Sequence, residues 1–204
     1  MKASPLPLWL AGLGCLLGVL VAWTSLPAAQ IGGKMPVPDT AAQTAAEALV
    51  KRILGDDYKR VGADAAAVEK WILTLRQQAA DTKEEAVRFV LLREARDLAA
   101  RVGDVVTALR VVGELAEEYA IDEPAMSADV LRLAAPAAKT LRMKQTLARA
   151  ALDLLNRFLD ADNPDAALSV APTAEAAAAA SDSLRLEVAT RLQEARLLQK
   201  ERGR

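Results

Sequence analysis

Three adjacent carboxylate pairs, Asp56-Asp57, Glu84-Glu85 and Glu117-Glu118, come nearest to the residue types that general acid/base chemistry requires. That chemistry needs a carboxylate held in a pocket that shifts its pKa. Pairs of sequence neighbours near helix ends either face solvent or favour a helix N-terminus. The loop Asp160, Asp162, Asn163, Asp165 is the one acidic stretch with oxygen ligands at close spacing. Pro164, and the lack of the loop glycine and distal glutamate, argue against an EF-hand. Zinc has no ligand set, because the chain contains no histidine and a single cysteine, Cys15. No nucleophile stands with a base, and no glycine loop is spaced to cradle phosphate. The reading is therefore a non-enzymatic protein with no catalytic, cofactor-binding or metal-ligating residue.

One charged cluster remains. In the run Leu91-Leu92-Arg93-Glu94-Ala95-Arg96-Asp97-Leu98-Ala99, Arg93 and Asp97 are i,i+4 neighbours that can pair along a helix, for about 0.3 kcal/mol. Glu94 lies beside the apolar stripe, within reach of a neighbouring helix. Arg93, Arg96 and Asp97 are the candidates for a partner-contact surface, with structural ion pairing as the plainer alternative.

The elements that position these residues are helices. Hydrophobic residues make up 52% of the chain but aromatics only 3%, and the balance is carried by alanine and leucine, which favour helix over strand. Apolar residues recur at helical spacing in eight runs. The first, about 40–54, places Ala42, Ala45, Ala46, Leu49 and Ile53 on one face, with Gly55 to end it. The second, about 64–80, turns Val68, Trp71, Ile72, Leu75 and Ala79 inward. The third, about 83–102, carries Val87, Val90, Leu91, Ala95, Leu98 and Val102. Gly103 closes it, and Asp104 caps a fourth, which runs over 105–119. Asp122 and Pro124 start a fifth that stops by Pro136. A sixth covers about 140–160. Asn163-Pro164 opens a seventh, which Pro172 kinks or interrupts, and Ser181 caps the last, 182–201. Short connections imply antiparallel neighbours.

Upstream, Lys2 precedes an uncharged apolar stretch from Leu6 to Trp23, followed by Ala28 and Ala29. This is the layout of a secretory signal peptide. Because Leu26 and Pro27 fit the cleavage rule poorly, an uncleaved anchor over residues 6–23 is the alternative. Cys15 lies inside the apolar run, so it reads as a small apolar residue and not as a lipidation site. The organisation expected is a signal peptide or anchor over 1–29, a linker over 30–39 and a helical-repeat domain over 40–204. A net charge of −1, with both signs interspersed, gives no reason to expect nucleic acid or an anionic membrane surface. The membrane is expected only through the N-terminal segment.

The third and fourth runs resemble a tetratricopeptide hairpin. Gly103-Asp104 sits at the inter-helix turn, Ala108-Leu109 follows at the spacing of the repeat's small residue, and Ala95 and Ala99 take first-helix packing positions. Arg96 stands where that repeat usually has glycine. A weaker copy lies at Asp162-Asn163-Pro164-Asp165-Ala166-Ala167-Leu168. The two turns are about 59 residues apart, against about 34 for a tandem array, so a regular array is not expected. More specifically, residues 41–200 look like a family of uncharacterised exported helical proteins found mainly in planctomycete bacteria. Phe89–Asp122 carries that likeness, with Leu49–Tyr58 and Ala166-Ala167-Leu168 fitting as well. The resemblance implies export and an all-α fold, and no activity. Larger relatives continue into further repeat-like tracts, so this chain would be a short member or an N-terminal part.

The fold expected is all-α: antiparallel helical hairpins in a short tetratricopeptide-like solenoid or bundle of about eight helices. The function expected is an exported scaffold that binds another protein. A membrane-tethered spacer is the alternative, and a carbohydrate- or cell-wall-binding module is a remote one.

Overall fold

Side-chain caps set most helix starts. The Asp104 carboxylate accepts from the Thr107 N–H at 3.1 Å, Asp122 from Ala125 at 3.0 Å, Thr140 from Met143 at 3.2 Å and Asn163 from Ala166 at 3.1 Å. Each satisfies one of the backbone donors that a helix N-terminus leaves unpaired. The computed structural model describes residues 33–61 and 65–203, with no side-chain description for 56–65. Expectations for residues 1–29 and for the Asp56, Asp57 and Tyr58 side chains lie outside the described residues. Eight α-helices are present among the described residues: α1 Thr40–Val61, α2 Ala65–Asp81, α3 Glu85–Arg101, α4 Val105–Glu118, α5 Glu123–Ala134, α6 Leu141–Asp160, α7 Pro164–Ala178 and α8 Asp182–Arg202. A 3₁₀ turn, Ala135–Ala137, follows α5 around Pro136. None of these helices is long and apolar enough to cross a membrane.

Each helix packs on the next in sequence, and α3, α5, α7 and α8 pack on helices two positions back. The result is two alternating layers, α1, α3, α5 and α7 in one and α2, α4, α6 and α8 in the other. One end of the stack carries the turns around Gly103, Ala137 and Ser181. The opposite end carries 82–84, 119–122 and 161–163.

The cores of α2, α4, α6 and α8 follow the expected stripes. Val68, Trp71, Ile72, Leu75 and Ala79 are buried, as are Val105, Ala108, Val112, Leu115 and Ala116. Leu147, Ala151, Leu154, Leu155 and Phe158 line α6, and Leu184, Val188, Leu192 and Ala195 line α8. In α3 the burial is wider than one stripe: Phe89, Leu92, Ala99 and Ala100 are covered along with Val90, Leu91 and Ala95. This helix touches α1, α2, α4 and α5, so almost every side of it meets a neighbour.

Five expectations need correction. Val102, expected on the apolar stripe of α3, is 41% exposed. The inward residues of α1 are Ala46 and Leu54, whereas Ile53 is 65% exposed; the face is rotated by one position. Gly55 does not end that helix, which continues to Val61. Pro172 does not interrupt α7, which continues through it to Ala178 with the proline on its exposed side. Ser181 precedes α8 without capping it, its hydroxyl lying 3.3 Å from that of Ser183.

The two turns singled out in the sequence share one backbone solution. Gly103 (φ 80°) and Asp162 (φ 51°) are both left-handed. The next N–H then reaches back five residues, Asp104 to Ala99 O at 2.9 Å and Asn163 to Phe158 O at 2.8 Å. This satisfies helix-end carbonyls. At Gly103 the positive φ favours glycine, and a Cβ there would also displace the Met143 methyl and crowd the Ala137 Cβ. The turns lie at opposite ends of the stack and join the layers in opposite senses. They are copies of a turn, not of a translated hairpin.

Candidate interaction surface

The central helix α3 presents its charged residues in two directions. Arg93 faces α1, where its guanidinium donates to Gln43 Oε1 at 2.7 Å and to Glu47 Oε1 at 2.5 Å. This hydrogen bond, and secondarily the positive charge, holds the Glu47 carboxyl below its ordinary pKa against a smaller opposing effect of burial. The expected i,i+4 pair between Arg93 and Asp97 does not form. Asp97 instead accepts from its sequence neighbour, Arg96 Nε, at 2.8 Å. Arg96 and Asp97 line a hollow of about 380 Å³ against α5, with Asp129, Val130, Arg132, Leu133 and Pro136. Arg93 does not line this hollow. The side chains of the three predicted contact residues are largely covered, at 21%, 14% and 23% exposure for Arg93, Arg96 and Asp97.

The absence of an Arg93–Asp97 pair has a simple cause. An i,i+4 pair contributes a few tenths of a kcal/mol. A guanidinium donating to both a carboxylate and an amide on a neighbouring helix makes stronger, charge-assisted bonds.

A larger feature lies beside Arg93, and the sequence did not reveal it. Helices α1 and α2 make few contacts with each other, yet both pack on α3. Between them lies a groove of about 560 Å³. Val50, Leu54, Trp71, Leu75 and Val90 form its apolar part, and Glu47, Lys51, Glu94 and Arg101 bring charges of both signs to it. Arg93 braces one wall through Glu47. The signal was partly present, because Trp71 and Leu75 read as inward residues of α2. What could not be read was that α1 would stand off from them.

A second groove, about 710 Å³, separates α2 from α4 over Arg88 and Leu92. Most of its lining residues carry polar side chains, and ion pairs cross or edge it: Arg76 with Glu114, and Arg88 Nη1 with Glu118 Oε2 at 3.0 Å. The pairs Glu84-Glu85 and Glu117-Glu118 thus include one residue, Glu118, with a structural partner. No group of three or more His, Cys, Asp or Glu able to hold a metal ion occurs among the described residues.

At the far end of α4, Tyr119 is fully buried. Its hydroxyl donates to Glu85 O at 2.8 Å, and its ring meets Phe89 edge-on at 5.1 Å. Burial, reinforced by the Glu118 charge, pushes the phenol up to about 12. The segment expected to be a linker is fastened here. Met35 N–H donates to Glu118 O, and Met35 O accepts from Ala120 N–H, both at 2.8 Å.

The chain matches no family model, no curated protein and no solved structure.

Proposed function

We propose that this chain is an exported helical scaffold that engages another protein through the groove between α1 and α2. The observation that carries the reading is the groove's make-up: an aliphatic and aromatic floor with acidic and basic groups on its walls. Protein contacts concentrate their energy in such desolvated apolar pockets, with charged groups at the rim setting register and partner choice. Stacked helical layers suit this role, because each layer holds its neighbours at fixed separations and leaves grooves between them. The tetratricopeptide-like character belongs to the same proposal; the Gly103-Asp104 turn and the close packing at Ala108, which is fully buried, support it. Arg93 acts here by positioning the α1 wall, while Arg96 and Asp97 form a separate, smaller contact region against α5. Export rests on the apolar stretch Leu6–Trp23.

The test is site-specific photocrosslinking in the producing cell, with the reactive residue placed at Lys51. A reproducible protein adduct is expected, and it should disappear when Val50→Glu is added with helicity retained. Absence of any adduct, combined with turnover in a broad hydrolase screen, would replace the scaffold reading with an enzymatic one.

A further inference from the structure

The net charge of −1 hides a local cluster of cations. Around the Gly103 turn, Arg101, Lys139 and Arg142 are exposed and Lys144 is half-buried. None of these four makes an ion pair among the described residues. The nearby Asp104 carboxylate is occupied in capping α4. Gly103 packs against Ala137 and Met143, so the α3–α4 turn and the start of α6 form one surface. The opposite end holds Glu84, Glu85, Glu117 and Asp122, with Lys83 among them.

The basic end is also apolar. Val102, Val106 and Leu141 are 41%, 55% and 56% exposed. Val102 and Val106 flank the same turn, and Leu141 is the first residue of α6. Exposed aliphatic residues ringed by unpaired cations mark a surface for an anionic partner that also accepts hydrocarbon.

We infer that this end docks on an anionic phospholipid bilayer surface, with Val102, Val106 and Leu141 entering the headgroup boundary and the surrounding cations meeting lipid phosphates. Shape favours a bilayer over an acidic peptide. Peptide recognition uses a groove, a free strand edge or a pocket, and Val102, Val106 and Leu141 line neither of the two grooves nor the hollow against α5. A bilayer deforms around protruding side chains and needs no preformed concavity. Four basic residues fall within the range that gives measurable attraction to anionic lipid. The inference uses a surface that adjoins the α1–α2 groove and shares Arg101 with it, and it does not depend on the role proposed for that groove.

The test uses the full chain with Cys15→Ser and a single environment-sensitive fluorophore at Val106→Cys. Vesicles of mixed phosphatidylglycerol and phosphatidylcholine are compared with phosphatidylcholine alone, both containing a lipid-borne quencher. Insertion of the N-terminal apolar stretch is common to both vesicles, so the difference isolates the basic end. Quenching is expected in the anionic vesicles only and should be lost near ~0.5 M salt, where screening shortens to a few ångströms. Lys139→Glu with Arg142→Glu should weaken it at least about tenfold. Leu141→Ser, which keeps every charge, should weaken it less, and circular dichroism should show unchanged helicity in both variants. Equal quenching in the two vesicle types, or none in the anionic ones, overturns the inference. Protection of the fluorophore by soluble polyglutamate without vesicles also overturns it, in favour of an acidic protein segment.

Discussion

Helix α1 and the α3–α4 hairpin are both alanine-rich and amphipathic, yet they depend on the rest of the molecule in different ways. In α4, Val105, Ala108, Val111, Val112 and Leu115 are all at most 2% exposed. Their spacing could be satisfied by only one face. In α1, alanines occupy positions 41, 42, 45, 46 and 48, so several faces are nearly equivalent in hydrophobicity. Its main neighbour is α3, to which it is tied by Arg93 through Gln43 and Glu47. An edge helix with weak patterning takes its orientation from one partner. A central hairpin with strong patterning dictates where its partners go.

The sharpest way to break this comparison is Ala108→Arg. Ala108 is fully buried, and an arginine there would both overpack the core and bury an unpaired charge. A loss of about 4 kcal/mol or more in denaturant-derived stability is expected. A loss below about 1 kcal/mol would mean that the hairpin is not the rigid centre of the stack.

The orientation of α1 is checked by two adjacent substitutions. Leu54→Ala, at 7% exposure, should cost about 2 kcal/mol. Ile53→Ala, at 65% exposure, should fall within about 0.5 kcal/mol of the parent. Reversal of that order would restore the face that the sequence pattern favours.

Tyr119 tests how firmly the centre is closed. Its folded pKa, about 12, lies above the ordinary phenol value of about 10. The unfolded chain therefore loses this proton first as pH rises. The stability contributed by keeping the phenol neutral is full below about pH 10 and is lost as pH climbs toward 12. Thermal melts in that window should show an alkaline decline that Tyr119→Phe reduces. At neutral pH the same substitution should cost about 1 kcal/mol for the lost bond to Glu85 O. An identical alkaline profile in the two proteins would show that the phenol is not the group responsible.

A small effect is expected where α1 is tied to α3. Arg93→Ala should lower global stability by about 1 kcal/mol or less, because the pair is partly solvated. Hydrogen exchange should nevertheless quicken selectively in the first half of α1. Exchange that rises equally in α4 would contradict the division between edge and centre. The Glu47 carboxyl, held below its ordinary range by Arg93, adds stability above its unfolded pKa. That contribution fades as pH falls through the lowered folded value, so the α1 effect should fade in acid too.

The sequence by itself determined the fold class, the number of helices and most of their starts. It also determined the buried faces of α2, α4, α6 and α8. These features are local: a cap needs a side chain within three residues of the N–H it serves, and a stripe needs only a repeat near 3.6. Three things were decided by tertiary structure alone. Which face of α1 is covered depends on α3, some 46 residues away at the Arg93–Glu47 contact. Whether Arg93 would pair along its own helix depended on whether a stronger acceptor came within reach. The α1–α2 groove and the cation cluster around the Gly103 turn exist only because the packing of the helices brings together segments distant in sequence. Composition, which counts charges without placing them, carries no trace of that arrangement.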